Sequence, residues 1–401
     1  MASAGSLSHV RVLDLSRILA GPWATQCLAD LGADVIKVER PGSGDDTRGW
    51  GPPYLEDDPG RSAYFCSVNR NKRSLALDIA DPEAAEAVRR IASGSQVLVE
   101  NFKRGALARY GLDYASLSAE NPSLVYCSIT GFGQGGPEAD RAGYDFMIQG
   151  MAGLMSVTGE PDGMPMKVGV ALSDVLTGLN AAVAILAALS HAERTGQGQF
   201  IDMSLFDVTV ASLANQAANY LFTGSPPPRL GNAHPNIVPY QVFAVADGHL
   251  ILAVGNDAQF RRFCALAGLD ALPDDARFAT NDARVRHRNT LVPRIAEAMK
   301  GRTRGDWLVA LLGEGIPAGP INDVGQTFAE EHAQFRHLAT SIPDGEGMPV
   351  PTVRSPLGLS LTPPTLRSAP PRLGEHSREV LREAAGLDEE STARLLGDSR
   401  G

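Results

Sequence analysis

Short apolar runs alternate with longer, helix-spaced ones through the first half of the chain. Residues 10–15 predict a strand, residues 22–30 a helix that exits at Gly32, and residues 33–39 a second strand. Further strands are predicted at 74–79, 96–102 and 123–130. Between them, a helix opens with Asp81 as cap and Pro82 in its first position and runs to residue 93, and another covers 114–120. Strands alternating with helices predict a parallel sheet covered on both faces, with ligands beyond the carboxyl ends of the strands.

The pattern changes after residue 200. A strand at 200–205 leads into a long helix ending near residue 220 and a Pro-rich break at 223–228. Residues 241–246 and 249–254 flank Asp247-Gly248 as an antiparallel hairpin, followed by helices at 257–267, 290–299 and 304–312. The fold class is thus α/β, a large parallel-sheet domain with a smaller α+β domain. The expected division is 1–200 for the first part of the large domain, 201–228 for a linker helix and 229–330 for the small domain. A Pro-rich return segment, 331–401, completes the large one.

One stretch joins this pattern to chemistry. Residues 168–172 read as a short buried strand, and from Val175 an alanine-rich apolar run begins at helical spacing. Ser173 is expected to cap that helix. Asp174 then sits in its first turn, where free N–H groups and the dipole favour a carboxylate. Such an Asp either helps to start the helix or acts as a reactive group. The run from 175 to 192 contains Gly178, Asn180 and many alanines, which reads as a buried helix and not a membrane span.

A formal charge of −10 argues against a general nucleic-acid binder. Cys27, Cys66, Cys127 and Cys264 are widely separated, which fits reduced thiols in a cytoplasmic protein and neither a disulfide framework nor a zinc site. The opening residues show no basic signal-peptide region. The eight histidines form no i, i+4 pair, so no metal site is expected.

Within this acidic chain Arg40, Arg48, Arg70, Lys72, Arg73, Lys103, Arg104 and Arg109 gather in the first quarter, mostly at strand ends. They are either solvated surface charge or a site for a phosphate-bearing polyanion. Gly131-Phe-Gly133-Gln-Gly-Gly136 fits a dinucleotide fingerprint, but Pro137 follows where a helix should open. The first strand–helix turn lacks the motif, so a nicotinamide enzyme is disfavoured.

Several motifs together resemble the class III CoA-transferases. They are the run from Leu13 to Pro22, Leu31 to Glu39, Gly42-Ser-Gly-Asp45, Asn71-Lys-Arg-Ser74, Val99-Glu-Asn-Phe102, Gly131-Phe-Gly133 and Arg141-Ala-Gly-Tyr-Asp145. Arg194-Thr-Gly-Gln-Gly198, Ile316-Pro-Ala-Gly-Pro320 and Leu373-Gly-Glu-His376 extend the match over nearly the whole chain. The resemblance implies a Rossmann-like large domain and an interlocked homodimer. It implies that Asp174 is the catalytic aspartate and that Arg40, Asn71, Lys72, Arg73, Asn101, Phe102 and Arg109 bind coenzyme A. That molecule would be substrate and product, with no permanently bound cofactor; the other partner is a carboxylic acid.

In related enzymes the aspartate attacks an acyl-CoA thioester, and an anhydride and an aspartyl-CoA thioester follow in turn. Asp174 is expected to stay ionised at its helix start. Oxyanion donors are expected from the segment around Gly133 and from Gly231-Asn-Ala-His234, which either stands in for a glycine-rich lid or is an ordinary loop. Tyr144 and Asp145 are further substrate-contacting candidates. Tyr144 stands where the related 2-methylacyl-CoA racemases carry a basic His, which makes racemisation the alternative and transfer the first reading. Residues 126–131, 141–145 and 237–241 look most like succinyl-CoA:glutarate CoA-transferases, implying short dicarboxylates. Arg17 and His234 are candidate partners for a distal carboxylate.

Overall fold

The computed structural model describes residues 5–56 and 58–397 and divides the chain into two units. The first comprises the chain up to Ala152, Gly169–Leu213 and everything from Gln334 onward; the second is Gly153–Val168 with Ala214–Ala333. These boundaries differ from the expected ones. Residues 153–168 belong to the smaller unit, and 201–213 belong to the sheet-bearing unit instead of a linker.

Six strands form the sheet of the first unit: β1 Arg11–Asp14, β2 Asp34–Glu39, β3 Lys72–Ala76, β4 Val97–Glu100, β5 Val125–Thr130 and β6 Phe200–Ser204. Their spatial order is β3-β2-β1-β4-β5-β6, and every neighbouring pair is parallel. Successive side chains feed opposite faces, as strand geometry requires. Val12, Val35, Val97 and Val125 join one core with α1 (Ala20–Asp30), whereas Leu13, Ile36, Leu98 and Tyr126 join another with α2 (Pro82–Ser93). As expected, Asp81 caps α2, accepting from the Glu83 N–H at 2.8 Å. The connection direction reverses between β1 and β4, and that switch opens a crevice at the carboxyl ends of those strands.

Of three further helices, α3 (Tyr114–Glu120) lies before β5 and packs into the core through Leu117, whereas α4 (Asp145–Met151) and α5 (Leu172–Thr195) reach the crevice through Asp145 and Asp174. Helix α5 ends at Gly196 in the left-handed conformation, φ 73°. It is long and apolar enough to cross a membrane by length and composition. Its Ala181, Ile185 and Leu189 instead join the core against α1 and the sheet, and burial of Ile185 alone contributes about 1.5–3 kcal/mol. The two helices approach closely at Gly178, where an added Cβ would lie 2.6 Å from the Ala20 carbonyl oxygen and 2.9 Å from Trp23.

Two local expectations fail. Residues 168–171 form no strand, and α5 already begins at Leu172 with Ala171 in the cap position. The long helix after β6 is two helices, α6 (Leu205–Ala211) and Ala214–Thr223, separated at Ala214, whose φ is 47°. The return segment adds an antiparallel hairpin of Ala339–Pro343 with Pro349–Val353, then the helix Ser377–Glu383.

The second unit has a three-stranded antiparallel sheet in the order Ala318–Gly319, Gly248–Ala253, Tyr240–Val245. Phe260, Phe263, Leu291, Ile295 and Trp307 pack its core.

Candidate active site

The turns after β1 and β4 meet at the switch point, where the Asn101 side-chain amide clasps the backbone of Arg17. Arg17 N–H donates to Asn101 Oδ1 at 2.9 Å, and Asn101 Nδ2 donates to the Arg17 carbonyl at 2.7 Å. Ile18 between them takes a left-handed φ of 71°, with its N–H 3.3 Å from both Asp45 carboxylate oxygens. A buried ionic cluster supports this turn from below. Lys72 Nζ donates to Asp14 Oδ2 (3.1 Å), the Pro22 carbonyl (3.0 Å) and Asn69 Oδ1 (2.9 Å). Lys37 Nζ donates to the Ser16 carbonyl at 2.8 Å and pairs with Asp45 at 2.9 Å. Burial opposes ionisation of Asp14, but Lys72 and Lys37 outweigh it and hold its carboxyl below the usual range.

That geometry corrects three of the expected coenzyme-binding side chains. Lys72 is fully buried and bound to its three partners. Asn71 is held between Asp30 and the return segment, accepting from the N–H groups of Arg367 and Ser368. Arg73 forms ion pairs with Asp34, Glu379 and Glu383. Their polarity serves the join between the sheet and the return segment, and Arg48 and Arg70 are likewise bound to Glu39 and Asp30. Of the remaining four, Arg40, Phe102 and Arg109 line one cleft, whereas Asn101 borders another and spends its side-chain amide on the Arg17 backbone.

Two clefts flank the Arg17–Asn101 junction. The first, about 380 Å³, has Asp174 in its wall with Arg17, Phe102, Gly131, Tyr144 and Asp145. The second, about 500 Å³, is lined by Arg40, Phe102, Lys103 and Arg109 among others. Arg17, Phe102 and Lys103 line both. Among the described residues Arg40, Lys103 and Arg109 are exposed and form no ion pair, so the second cleft presents three cations, with the exposed Asp78 carboxylate also in its wall. Arg17 itself pairs with Asp46 at 3.2 Å and lies 5.6 Å from the Phe102 ring centroid.

Asp174 is not served by its own helix start as the sequence suggested. Asp145 Oδ1 takes the Ser173 N–H at 2.8 Å and the Asp174 N–H at 3.4 Å. The Ser173 hydroxyl caps nothing; it accepts from Thr209 at 2.9 Å. Burial, reinforced by the Asp145 charge, pushes the Asp174 carboxyl up to about 7 instead of keeping it low. Asp174 therefore exists near neutrality as a mixture of acid and carboxylate.

Among the oxyanion candidates, Gly133 is corrected. Gly133 donates its N–H to Thr130 Oγ1 at 2.9 Å, and Gln134 donates its N–H to Asp202 at 2.9 Å. Gly131, not Gly133, lines the first cleft. Gly231 and His234 belong to the second unit. The Gly231 N–H is bound to the Gly159 carbonyl at 3.1 Å. His234 Nδ1 accepts from the Asn236 N–H at 3.0 Å, and burial with the charge of Arg288 lowers the pKa of its ring. A neutral ring supplies no positive charge for a distal carboxylate. Among the described residues no group of His, Cys, Asp and Glu is arranged to hold a metal ion.

A model of CoA-transferase family III matches residues 7–377. The succinate–glutarate CoA-transferase of Agrobacterium fabrum is 53% identical over 390 residues, covering 96% of this chain and 97% of that protein. Mouse succinyl-CoA:glutarate CoA-transferase is 44% identical over 97% of this chain and 89% of its own length. The crystal structure of a CAIB/BAIF family protein from Brucella suis superposes with a TM-score of 0.83 at 50% identity, covering 95% of this chain and 100% of that one. An α/β enzyme with a carboxylate at its switch-point crevice is thus the class. The chain belongs to CoA-transferase family III.

Proposed function

We propose that the protein transfers coenzyme A from succinyl-CoA to glutarate, with Asp174 as covalent nucleophile. The observation that carries this reading is the joining of two clefts through Arg17, Phe102 and Lys103, one holding Asp174 and the other three unpaired cations. Phosphates of the coenzyme fit Arg40, Lys103 and Arg109, and the thioester then extends toward Asp174. The names of the relatives support succinyl and glutaryl groups as the cargo.

In this mechanism an Asp174 oxygen attacks the thioester carbonyl. The carbon–sulfur bond breaks, coenzyme A leaves as thiolate, and a succinyl–aspartyl anhydride forms. The thiolate attacks the aspartyl carbonyl and releases succinate, leaving an aspartyl thioester. Glutarate attacks that thioester, releasing the thiolate and forming a glutaryl–aspartyl anhydride. Attack of the thiolate on the glutaryl carbonyl yields glutaryl-CoA and restores the Asp174 carboxylate. The reading includes the interlocked homodimer; exposed apolar side chains such as Val183, Leu221 and Phe222 are surface that a second copy would cover.

Racemisation draws no support from Asp145, whose oxygens receive the Ser173 N–H and the Gln149 side-chain amide. A panel of acceptor acids against succinyl-CoA tests the assignment. Glutarate is expected to exceed butyrate in kcat/KM by roughly tenfold or more, the effect of one charge-assisted hydrogen bond. Equal use of butyrate would refute the dicarboxylate acceptor.

A further inference from the structure

Glu100 ends β4 with its side chain inside the protein, 6% exposed. Its Oε2 accepts the Phe102 N–H at 2.7 Å, so it folds back on the turn that carries Asn101, Phe102 and Lys103. Ser128 is its register partner on β5, beside the same carboxylate, and its hydroxyl opposes the upward pull of burial on the Glu100 carboxyl. Ser128 in turn accepts from Gln134 Nε2 at 2.8 Å, and the Gln134 N–H is fixed by Asp202 on β6. A buried carboxylate and its strand-register partner thus lie between the turn after β4 and the glycine-rich loop after β5. Both segments line the first cleft, through Phe102 and Lys103 on one side and Gly131 on the other.

We propose that Glu100 is a positioning residue for acyl-CoA, holding the 101–103 turn against the 131–136 loop so that Phe102 and Lys103 face both clefts. This rests on reading those clefts as the acyl-CoA site. Packing alone would not call for an acid here. Burial pushes the Glu100 carboxyl up to about 7, opposed only by the Ser128 hydroxyl and the Phe102 N–H. Its titratable neighbours on β5, Tyr126 and Cys127, are both pushed further up by its charge and bring no compensating cation. An ionisable group kept at such a cost, beside a cleft, marks a functional position.

The experiment compares Glu100→Ala, Glu100→Gln and Ser128→Ala with the wild type, measuring kcat and both KM values for succinyl-CoA and glutarate. Glu100→Ala is expected to raise KM for succinyl-CoA about tenfold or more, with kcat and KM for glutarate within about threefold. Glu100→Gln retains an acceptor for Phe102 and a polar partner for Ser128, so it is expected to restore most of the loss. Ser128→Ala cuts the link to the loop and should raise the same KM, which decides the matter if Glu100→Ala does not fold. An unchanged KM for succinyl-CoA in Glu100→Ala or Ser128→Ala, or a rise that Gln does not rescue, overturns the proposal. Arg40→Ala separates the two claims. If it raises KM for succinyl-CoA while the Glu100 variants do not, only the role of Glu100 falls; if Arg40→Ala has no effect either, the reading of the clefts falls with it.

Discussion

Asp145 Oδ1 accepts the Ser173 N–H at 2.8 Å and the Asp174 N–H at 3.4 Å, setting one carboxylate against the helix start that carries the other. The pair divides its roles: Asp145 receives the donors of the first turn of α5, and Asp174 meets the cleft without them. Burial first, and the Asp145 charge second, push Asp174 up to about 7. Only the deprotonated form is a nucleophile, and it is populated above that pKa. With Asp174 as the attacking group, kcat/KM for succinyl-CoA is expected to fall about tenfold per unit as pH drops below about 7. Asp145→Asn keeps an acceptor for both N–H groups and removes the charge, so the acid limb should move to lower pH. Initial rates between about pH 5 and pH 9 measure it; a limb that stays put or moves up contradicts the pairing.

The same shift has a consequence for stability. A carboxyl whose pKa is raised on folding binds more protons in the native state, so its contribution declines as pH rises from its unfolded value of 3.8 toward about 7. Asp174→Asn removes that burden. The variant is expected to melt above the wild type at about pH 8 and to show no such gain at about pH 4. Thermal unfolding at the two pH values checks it, and a gain confined to the acid side would contradict it.

Arg40 and Arg73 separate a binding role from a structural one. Arg40→Ala is expected to raise KM for succinyl-CoA about tenfold, since one charge-assisted contact to a phosphate is lost. Arg73→Ala should leave that KM nearly unchanged and instead lower thermal stability, because Glu379 and Glu383 lose their partner and Asp34 is left with Arg11 alone. Steady-state kinetics and melting curves on the two variants read both effects, and a reversed pattern would return Arg73 to the binding site.

Gly178 couples the core to the crevice. A methyl group there would meet the Ala20 carbonyl oxygen at 2.6 Å and Trp23 at 2.9 Å, atoms that cannot swing aside. Gly178→Ala is expected to force α5 from α1, at about 1–3 kcal/mol of stability, and to disturb Asp174 one turn away and Ala20 in the cleft wall. Denaturant unfolding together with kcat measures it. Wild-type values for both would mean that the close contact is not needed.

Much of the first unit is legible along the chain because its signals are local. The apolar runs of β1, β2, β4 and β5 lie between helix signals, and the Asp81-Pro82 start of α2 lies within two adjacent residues. The start of α5 is not legible in that way. Its acceptor, Asp145, precedes it by 28 residues, whereas the local rule favoured Ser173, whose hydroxyl bonds to Thr209 instead. Charge along the chain misled for a related reason. Lys72 and Arg73 look like free cations until Asp14, Asp34 and the distant Glu379 fold onto them. Glu100 escaped notice because its meaning lies in Ser128 and Gln134, which only the neighbouring strand and loop bring to it.

The central claim is that Asp174 becomes covalently acylated during turnover. Incubating the protein with succinyl-CoA and hydroxylamine, followed by mass spectrometry of the peptide containing residue 174, tests it most directly. Hydroxylamine cleaves an aspartyl thioester to a stable hydroxamate, so the account predicts that modification on Asp174, dependent on succinyl-CoA and absent from Asp174→Asn. An unmodified Asp174 in a sample that is turning over, or full transfer activity in Asp174→Asn, would contradict it.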